Sequence, residues 1–192
     1  AAMQGRRSLR KLEAACRNHR TRQSVGFFLT KAHWDAPQLL AETALDTLKT
    51  LGWKRGVPLD LVLDDTQKKK RGKQMDALSK IFLHAEKVYA QGHTILGCAL
   101  VYRGVVIPYA VRLWMPKTFC AKTQQKSYDG EPIEYHKLTE MAGEIIADFP
   151  LTNVTVLFDC YYLCPNVTGA CEAKKYHYVG VAKKNRNFFP DG

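Results

Sequence analysis

Leucine residues alternate with other residues along positions 59–66, and this period of two predicts a β-strand. Leu59, Leu61 and Leu63 fall on one face of the extended chain, while Val62 adds β-propensity on the other face. The pattern is typical of a strand that presents one apolar face to a hydrophobic core.

Acidic residues end this strand and a second strand further along the chain. Asp64 and Asp65 follow Leu63 directly, and Asp159 ends a β-branched run at residues 154–159. Since α/β sheets usually place their chemistry at the C-terminal ends of strands, both ends are candidate sites. If the two strands are neighbours, Asp64 and Asp159 meet at one edge of the sheet.

Three further segments have the pattern of strands. They cover residues 94–102, 105–114 and 176–182. The first two are separated by the two-residue turn Arg103-Gly104, which predicts a β-hairpin. Pro108 lacks a backbone donor, so its strand is expected to lie at a sheet edge or to contain a bulge.

Helical periodicity predicts three helices, which cover residues 35–52, 138–149 and 164–175. The basic residues between positions 5 and 23 fit one further amphipathic helix, which is either a DNA-backbone contact or a solvated terminus. Residues 66–92 are polar and basic, and their poor periodicity predicts at most a short helix.

This order of elements predicts an α/β fold. A strand meander followed by helix-linked strands is the order of a ribonuclease H-like mixed sheet with flanking helices. We expect a small helical, basic N-terminal region at residues 1–54. Residues 55–192 then form a partial, incomplete ribonuclease H-like domain.

The charge of the chain indicates a polyanionic partner. The net charge is +11 and the isoelectric point is near 9.4, which favours nucleic acid over a merely solvated basic surface. The expected DNA-binding residues lie beside the two acidic strand ends: Lys68, Lys69, Lys70, Arg71, Lys73, Lys183, Lys184 and Arg186.

Other partners and locations are not indicated by the sequence. Its apolar runs are shorter than the roughly 18 residues that a membrane span needs. We see no signal peptide and no glycine-rich loop for a nucleotide cofactor. A cytoplasmic or nucleoid-associated location is therefore expected.

Paired aspartates suggest a metal site if the fold brings them together. Carboxylate oxygens are preferred ligands of Mg²⁺ and Mn²⁺, and two such ions can promote in-line displacement at phosphorus. The alternative is that Asp64 and Asp159 simply end strands as turn formers. Two aspartates are also too few to hold a metal pair well.

The acidic strand ends resemble the catalytic blocks of bacterial insertion-sequence transposases of the DDE type. The first block is similar to Leu63-Asp64-Asp65-Thr66 with Lys70-Arg71-Gly72-Lys73. The second resembles VLFDCYY at residues 156–162, and YVGVAKKNR at residues 178–186 resembles the segment after it. Upstream, RTRQSVGFFL at residues 20–29 and Trp34-Asp35 resemble the helical region before the catalytic domain.

This resemblance implies a ribonuclease H-like fold and two-metal phosphoryl transfer on DNA. It makes Asp64 and Asp159 the catalytic and metal-binding acids, with two Mg²⁺ or Mn²⁺ ions in the complete enzyme. Asp65 is the poorer candidate, because the family block has one variable residue between the aspartate and a small polar residue, here Thr66. The partners implied are double-stranded transposon ends, target DNA and other copies of the chain on that DNA.

These enzymes also need a glutamate on a helix downstream of the last strand predicted here. Glu172 precedes that strand, so we expect the third acid beyond Gly192 and the chain to be a truncated transposase, natural or excised. Alone it is expected to be inactive or nearly so. The alternatives are a non-catalytic DNA-binding remnant and another ribonuclease H-like metal nuclease, such as a resolvase.

Overall fold

The computed structural model describes residues 13–14, 21–31, 35–72, 75–83, 86–122 and 132–182. The chain divides into two compact units, Ala1–Leu39 and Leu40–Gly192. The division proposed from the sequence, at residues 54 and 55, stays a prediction. None of the helices in the described ranges has the length and apolar character needed to cross a membrane.

The N-terminal unit contains helix α1 (Arg22–Lys31). Thr21 precedes it, and its hydroxyl oxygen accepts a hydrogen bond from the Ser24 N–H at 3.2 Å, which satisfies one of the free donors of the first turn. Phe27 is 65% exposed. The basic helix predicted between residues 5 and 23 falls largely outside the described residues.

Helix α2 (Ala36–Thr50) begins and ends where the sequence predicts. The Asp35 carboxylate accepts a hydrogen bond from the Gln38 N–H at 2.9 Å and so caps the helix. Gly52, with φ of +80°, follows the last turn in the left-handed conformation that glycine adopts without strain. Ala44 and Leu48 are buried in the core of the second unit.

The second unit is built on a six-stranded mixed sheet. Its strands are β1 (Leu59–Lys69), β2 (Ser79–Leu83), β3 (Val88–Tyr102), β4 (Val105–Leu113), β5 (Val154–Phe158) and β6 (His177–Gly180). The helices that follow α2 are α3 (Lys117–Lys122), α4 (Leu138–Asp148) and α5 (Pro165–Ala173).

The strand order is that of a ribonuclease H-like sheet, as predicted. Strand β3 pairs antiparallel with β1 on one side, and with β2 and then β4 on its other side. Strands β1, β5 and β6 are parallel neighbours. The predicted hairpin between β3 and β4 is confirmed, because Arg103 and Gly104 both have the positive φ of a tight two-residue turn.

The predicted irregularity at Pro108 is also confirmed. Strand β4 pairs only with β3 among the described strands, and the register between them shifts at Cys98 and Ala99, opposite Pro108. A proline at such a position leaves no ladder hydrogen bond unmade.

The prediction for residues 66–92 is wrong. They contain the end of β1, all of β2 and the start of β3, which together form an antiparallel ribbon. Gly92 lies between the two outer strands, and a Cβ there would come within 2.5 Å of the Lys68 carbonyl oxygen. Close backbone approach therefore requires glycine at this point of the ribbon.

The core lies on one face of the sheet. Leu61, Leu100 and Val156 are fully buried there, on three adjacent strands. Helices α4 and α5 pack closely, since a Cβ on Gly143 would lie 2.7 Å from the Asn166 carbonyl oxygen. This packed face positions the ends of β1 and β5, where the acidic residues lie.

Candidate active site

Asp65 extends the buried face of β1. Side chains alternate along a strand, so Asp65 lies on the same face as Leu61 and Leu63. Its partner across the antiparallel ladder is Leu96, which is fully buried. Asp65 is itself half-buried, so the core face of β1 ends in a carboxylate.

Asp159 follows the last residue of the neighbouring parallel strand. The register pairs Leu63 with Phe158, so β5 ends beside the acidic part of β1. The chain then turns, and the Asp159 carboxylate accepts a hydrogen bond from the Tyr161 N–H at 2.9 Å. This bond fixes the direction of the carboxylate at the strand end.

Asp65 and Asp159 line one cleft of about 530 Å³. Gln67, Thr94, Trp114 and Tyr161 are among its other walls. The ladder explains two of these residues, since Gln67 pairs with Thr94 two positions beyond Asp65 on the same face. The cleft thus joins an acidic end to a polar and aromatic wall.

A buried tyrosine holds Asp65 in place. The Tyr162 hydroxyl donates a hydrogen bond of 2.9 Å to Asp65 Oδ1, and the whole Tyr162 side chain is buried. Burial and then the nearby Asp65 carboxylate raise the pKa of Tyr162 far above its usual range. The hydroxyl therefore keeps its proton and remains a donor at every physiological pH.

Besides burial, the charges of Asp65 and Asp159 influence the pKa of both tyrosines that follow β5. Burial raises the pKa of Tyr161, and the charges of Asp65 and Asp159 add to that effect. The same two carboxylates add to the raised pKa of Tyr162. Both aspartates therefore act on the same small volume, where a cation would be stabilised.

The sequence predicts that Asp64 meets Asp159 at one edge of the sheet, but the structure places Asp64 elsewhere. It is exposed on the opposite face of β1, and its Oδ1 accepts a hydrogen bond from the N–H of Asp65. The strand continues without a bulge to Lys69, so neighbouring side chains point to opposite faces. The structure thus brings Asp65, and not Asp64, into the cleft with Asp159.

The basic run after Asp65 is the end of a strand and the residues just after it. Lys68 and Arg71 are exposed, and Lys70 is half-buried. Lys69 is exposed and forms an ion pair of 3.5 Å with Glu86. The other predicted DNA-binding residues lie outside the described residues: Lys73, Lys183, Lys184 and Arg186.

The alternation of leucines along β1 indicates the face on which Asp65 lies. Leu59, Leu61 and Leu63 define the core face, and continuing that alternation by one step gives Asp65. Tyr162 had a weaker signal, as a tyrosine close after the second acid. Its bond to Asp65 joins residues 97 positions apart, which only the folded chain can reveal.

Comparison with known proteins gives a matching family model and a similar solved structure. A family model described as DDE superfamily endonuclease matches residues 1–192. A solved structure of the piggyBac transposase, in a synaptic complex with hairpin DNA, is 14% identical with a TM-score of 0.46. The match covers 94% of this chain and 38% of that chain. A search of curated proteins gave no significant match.

Proposed function

Since the chain belongs to the family of DDE superfamily endonucleases, we propose that it is part of the catalytic domain of a DNA transposase. In this proposal, Asp65 and Asp159 are the first two metal-binding acids. The observation that supports them is their position in one cleft, at the ends of neighbouring parallel strands.

The donors in the cleft fit a hard divalent cation. Both acids offer carboxylate oxygens, which Mg²⁺ and Mn²⁺ prefer, and both are oriented by hydrogen bonds from Tyr162 and Tyr161. Members of this family of nucleases generally use divalent metals. When bound, such ions activate the attacking oxygen and stabilise the leaving oxygen at phosphorus.

The side chains of the cleft have separate tasks in this proposal. Asp65 and Asp159 would hold the cation, which would supply positive charge for the DNA phosphate. Tyr162 donates a hydrogen bond to Asp65 Oδ1 and so orients the carboxylate at the cleft. Because Tyr162 stays protonated, it supplies a hydrogen bond without adding charge to an already acidic centre.

DNA is the proposed partner. Lys68, Lys70 and Arg71 follow Asp65 on the chain and would contact phosphates next to the cleft. The intact bacterial enzyme would cleave transposon ends and join the freed 3′ hydroxyl to target DNA, as an oligomer on that DNA. A third acid would complete its metal site.

A non-catalytic DNA-binding role is the alternative. Two carboxylates provide few ligands for a metal pair, and no group of three acidic, histidine or cysteine side chains suited to a metal occurs in the described part of the chain. That observation favours weak metal binding by these residues alone.

The test is binding of a fluorescent DNA duplex with and without Mg²⁺, followed by anisotropy. We expect Mg²⁺ to strengthen binding by the natural chain, and Asp65→Asn and Asp159→Asn to remove that gain. Asp64→Asn is the matched control, since it makes the same change one residue away on the opposite face. DNA binding that is unaffected by Mg²⁺ in the natural chain and in all three variants would favour the non-catalytic role.

A further inference from the structure

Two partly exposed aromatic side chains line the cleft, and a third contacts one of them. Trp114 and Tyr161 line it directly. Tyr135 contacts Trp114 edge to face, with ring centroids 6.4 Å apart. We call Trp114, Tyr135 and Tyr161 the aromatic rim.

The sheet register places Trp114 on the same side as Asp65. Trp114 follows β4 directly. Its backbone N–H donates a hydrogen bond to the Thr94 carbonyl oxygen at 3.0 Å. Thr94 pairs in turn with Gln67, two residues from Asp65. Gln67 is roughly 7 Å along β1 from Asp65, and Trp114 is two strands, roughly 10 Å, across the sheet from Gln67, so the Cα atoms of Asp65 and Trp114 are about 12 Å apart, with both side chains lining the same cleft.

Local hydrogen bonds order the chain beside the other two rings, and the Tyr161 ring contacts the buried Tyr162 ring with centroids 5.2 Å apart. Tyr161 sits in the turn that its own N–H closes onto Asp159. Tyr135 precedes His136, whose Nδ1 lies 2.8 Å from Glu144 Oε1 on α4. Tyr135 and Tyr161 are 36% and 47% exposed, so both rings can contact a ligand.

Exposed aromatic faces beside a phosphate-handling centre suit an unpaired nucleobase. Bases stack on aromatic side chains irrespective of their identity, whereas a base inside a duplex cannot reach such a pocket. Gln67 and Thr94 add polar groups that can meet the edge of a base. The volume of about 530 Å³ falls within the range of small-ligand sites.

We propose that the aromatic rim binds one unpaired base of a DNA end, next to the phosphate held at Asp65 and Asp159. This inference rests on the proposed function, because it takes DNA as the substrate of the same cleft. It adds that the cleft prefers a DNA end with a single-stranded base over a fully paired duplex.

The test compares two duplexes of one sequence, blunt or with a short 3′ overhang whose first unpaired base is 2-aminopurine. Binding is measured in EDTA, so that the metal site plays no part. We expect the overhang to bind more tightly by about 5- to 150-fold, the range for stacking of one base. The 2-aminopurine fluorescence should fall as that base stacks.

Substitutions on the rim assign the effect. Tyr135→Ala combined with Tyr161→Ala should abolish the preference and the quenching, while Tyr161→Phe, which keeps the ring, should retain both. Tyr178→Ala is the control, since Tyr178 on β6 is 38% exposed and is not among the described residues that line the cleft.

Two results would overturn the inference: equal binding of both duplexes by the natural chain, or a preference that survives the double substitution. Equal binding together with an intact Mg²⁺ effect would reject the rim and leave the metal proposal standing. A preference that depends on the rim, without any effect of Mg²⁺ on binding, would support the rim and reject the metal proposal.

Discussion

Removing one hydroxyl tests whether Tyr162 supports Asp65. Tyr162→Phe leaves the ring in its fully buried position and deletes the donor that lies 2.9 Å from Asp65 Oδ1. A hydrogen bond to a charged group contributes about 1.5–3 kcal/mol, and a half-buried carboxylate that loses its donor is not fully compensated by water. We therefore expect the free energy of unfolding to fall by about 2 kcal/mol.

For a domain of this size, that loss corresponds to a decrease in Tm of about 4–8 °C. Urea unfolding near pH 7, followed by circular dichroism, measures the change directly. Tyr178→Phe is a matched control, because its hydroxyl also donates to a carboxylate, that of Glu172. That bond is long, at 3.4 Å, and exposed, so its loss should cost less than about 0.5 kcal/mol.

The same substitution should weaken Mn²⁺ binding, because groups that orient metal ligands are typically worth 10- to 100-fold in affinity. Equal unfolding free energies for Tyr162→Phe and Tyr178→Phe would refute the reasoning. So would a Tyr162→Phe protein that is less stable but binds Mn²⁺ as the natural chain does, since Tyr162 would then not orient Asp65.

Two further predictions concern the core. Gly180→Ala should destabilise the protein by about 1–3 kcal/mol, because the added Cβ would lie 2.5 Å from the Phe158 ring. Gly169→Ala is the control in the same urea assay. It should be neutral or stabilising, because, among the described residues, no atom outside the local helix backbone lies within 4 Å of the added Cβ in the interior of α5. Burial raises the pKa of Cys98 to about 12, so the folded chain keeps a proton that the unfolded chain loses near pH 9. Stability should then fall with rising pH, by up to about 1.4 kcal/mol per unit between pH 9 and 11, and Cys98→Ala should reduce that slope; an unchanged slope would contradict the assignment.

The sheet was predictable because its central strands are buried on one face. Alternation at Leu59, Leu61 and Leu63 defined β1, and the Arg103-Gly104 turn defined the hairpin. The β2–β3 ribbon was missed because it gains little from burial: Tyr89 is 65% exposed, and Ile81 is the buried side chain of β2. A strand that exposes both faces to solvent shows little alternation of apolar and polar residues in its sequence.

The two acidic strands were predictable, whereas the spacing of the family block and the alternation of the strand favour different members of the adjacent aspartate pair. Asp64 fitted the spacing of the family block, but a strand sends neighbours to opposite faces, and Asp65 shares the face of Leu63. The aromatic rim could not be read from the sequence, since Trp114 and Tyr161 lie on separate elements that only the sheet brings together.

Metal binding at the two strand ends tests the central claim most directly. Isothermal titration with Mn²⁺ would compare the natural chain with Asp65→Asn, Asp159→Asn and Asp64→Asn, each shown to be folded by its urea transition. We predict weak binding that is lost in Asp65→Asn and in Asp159→Asn and retained in Asp64→Asn. Loss of binding in Asp64→Asn with retention in Asp65→Asn would contradict the account.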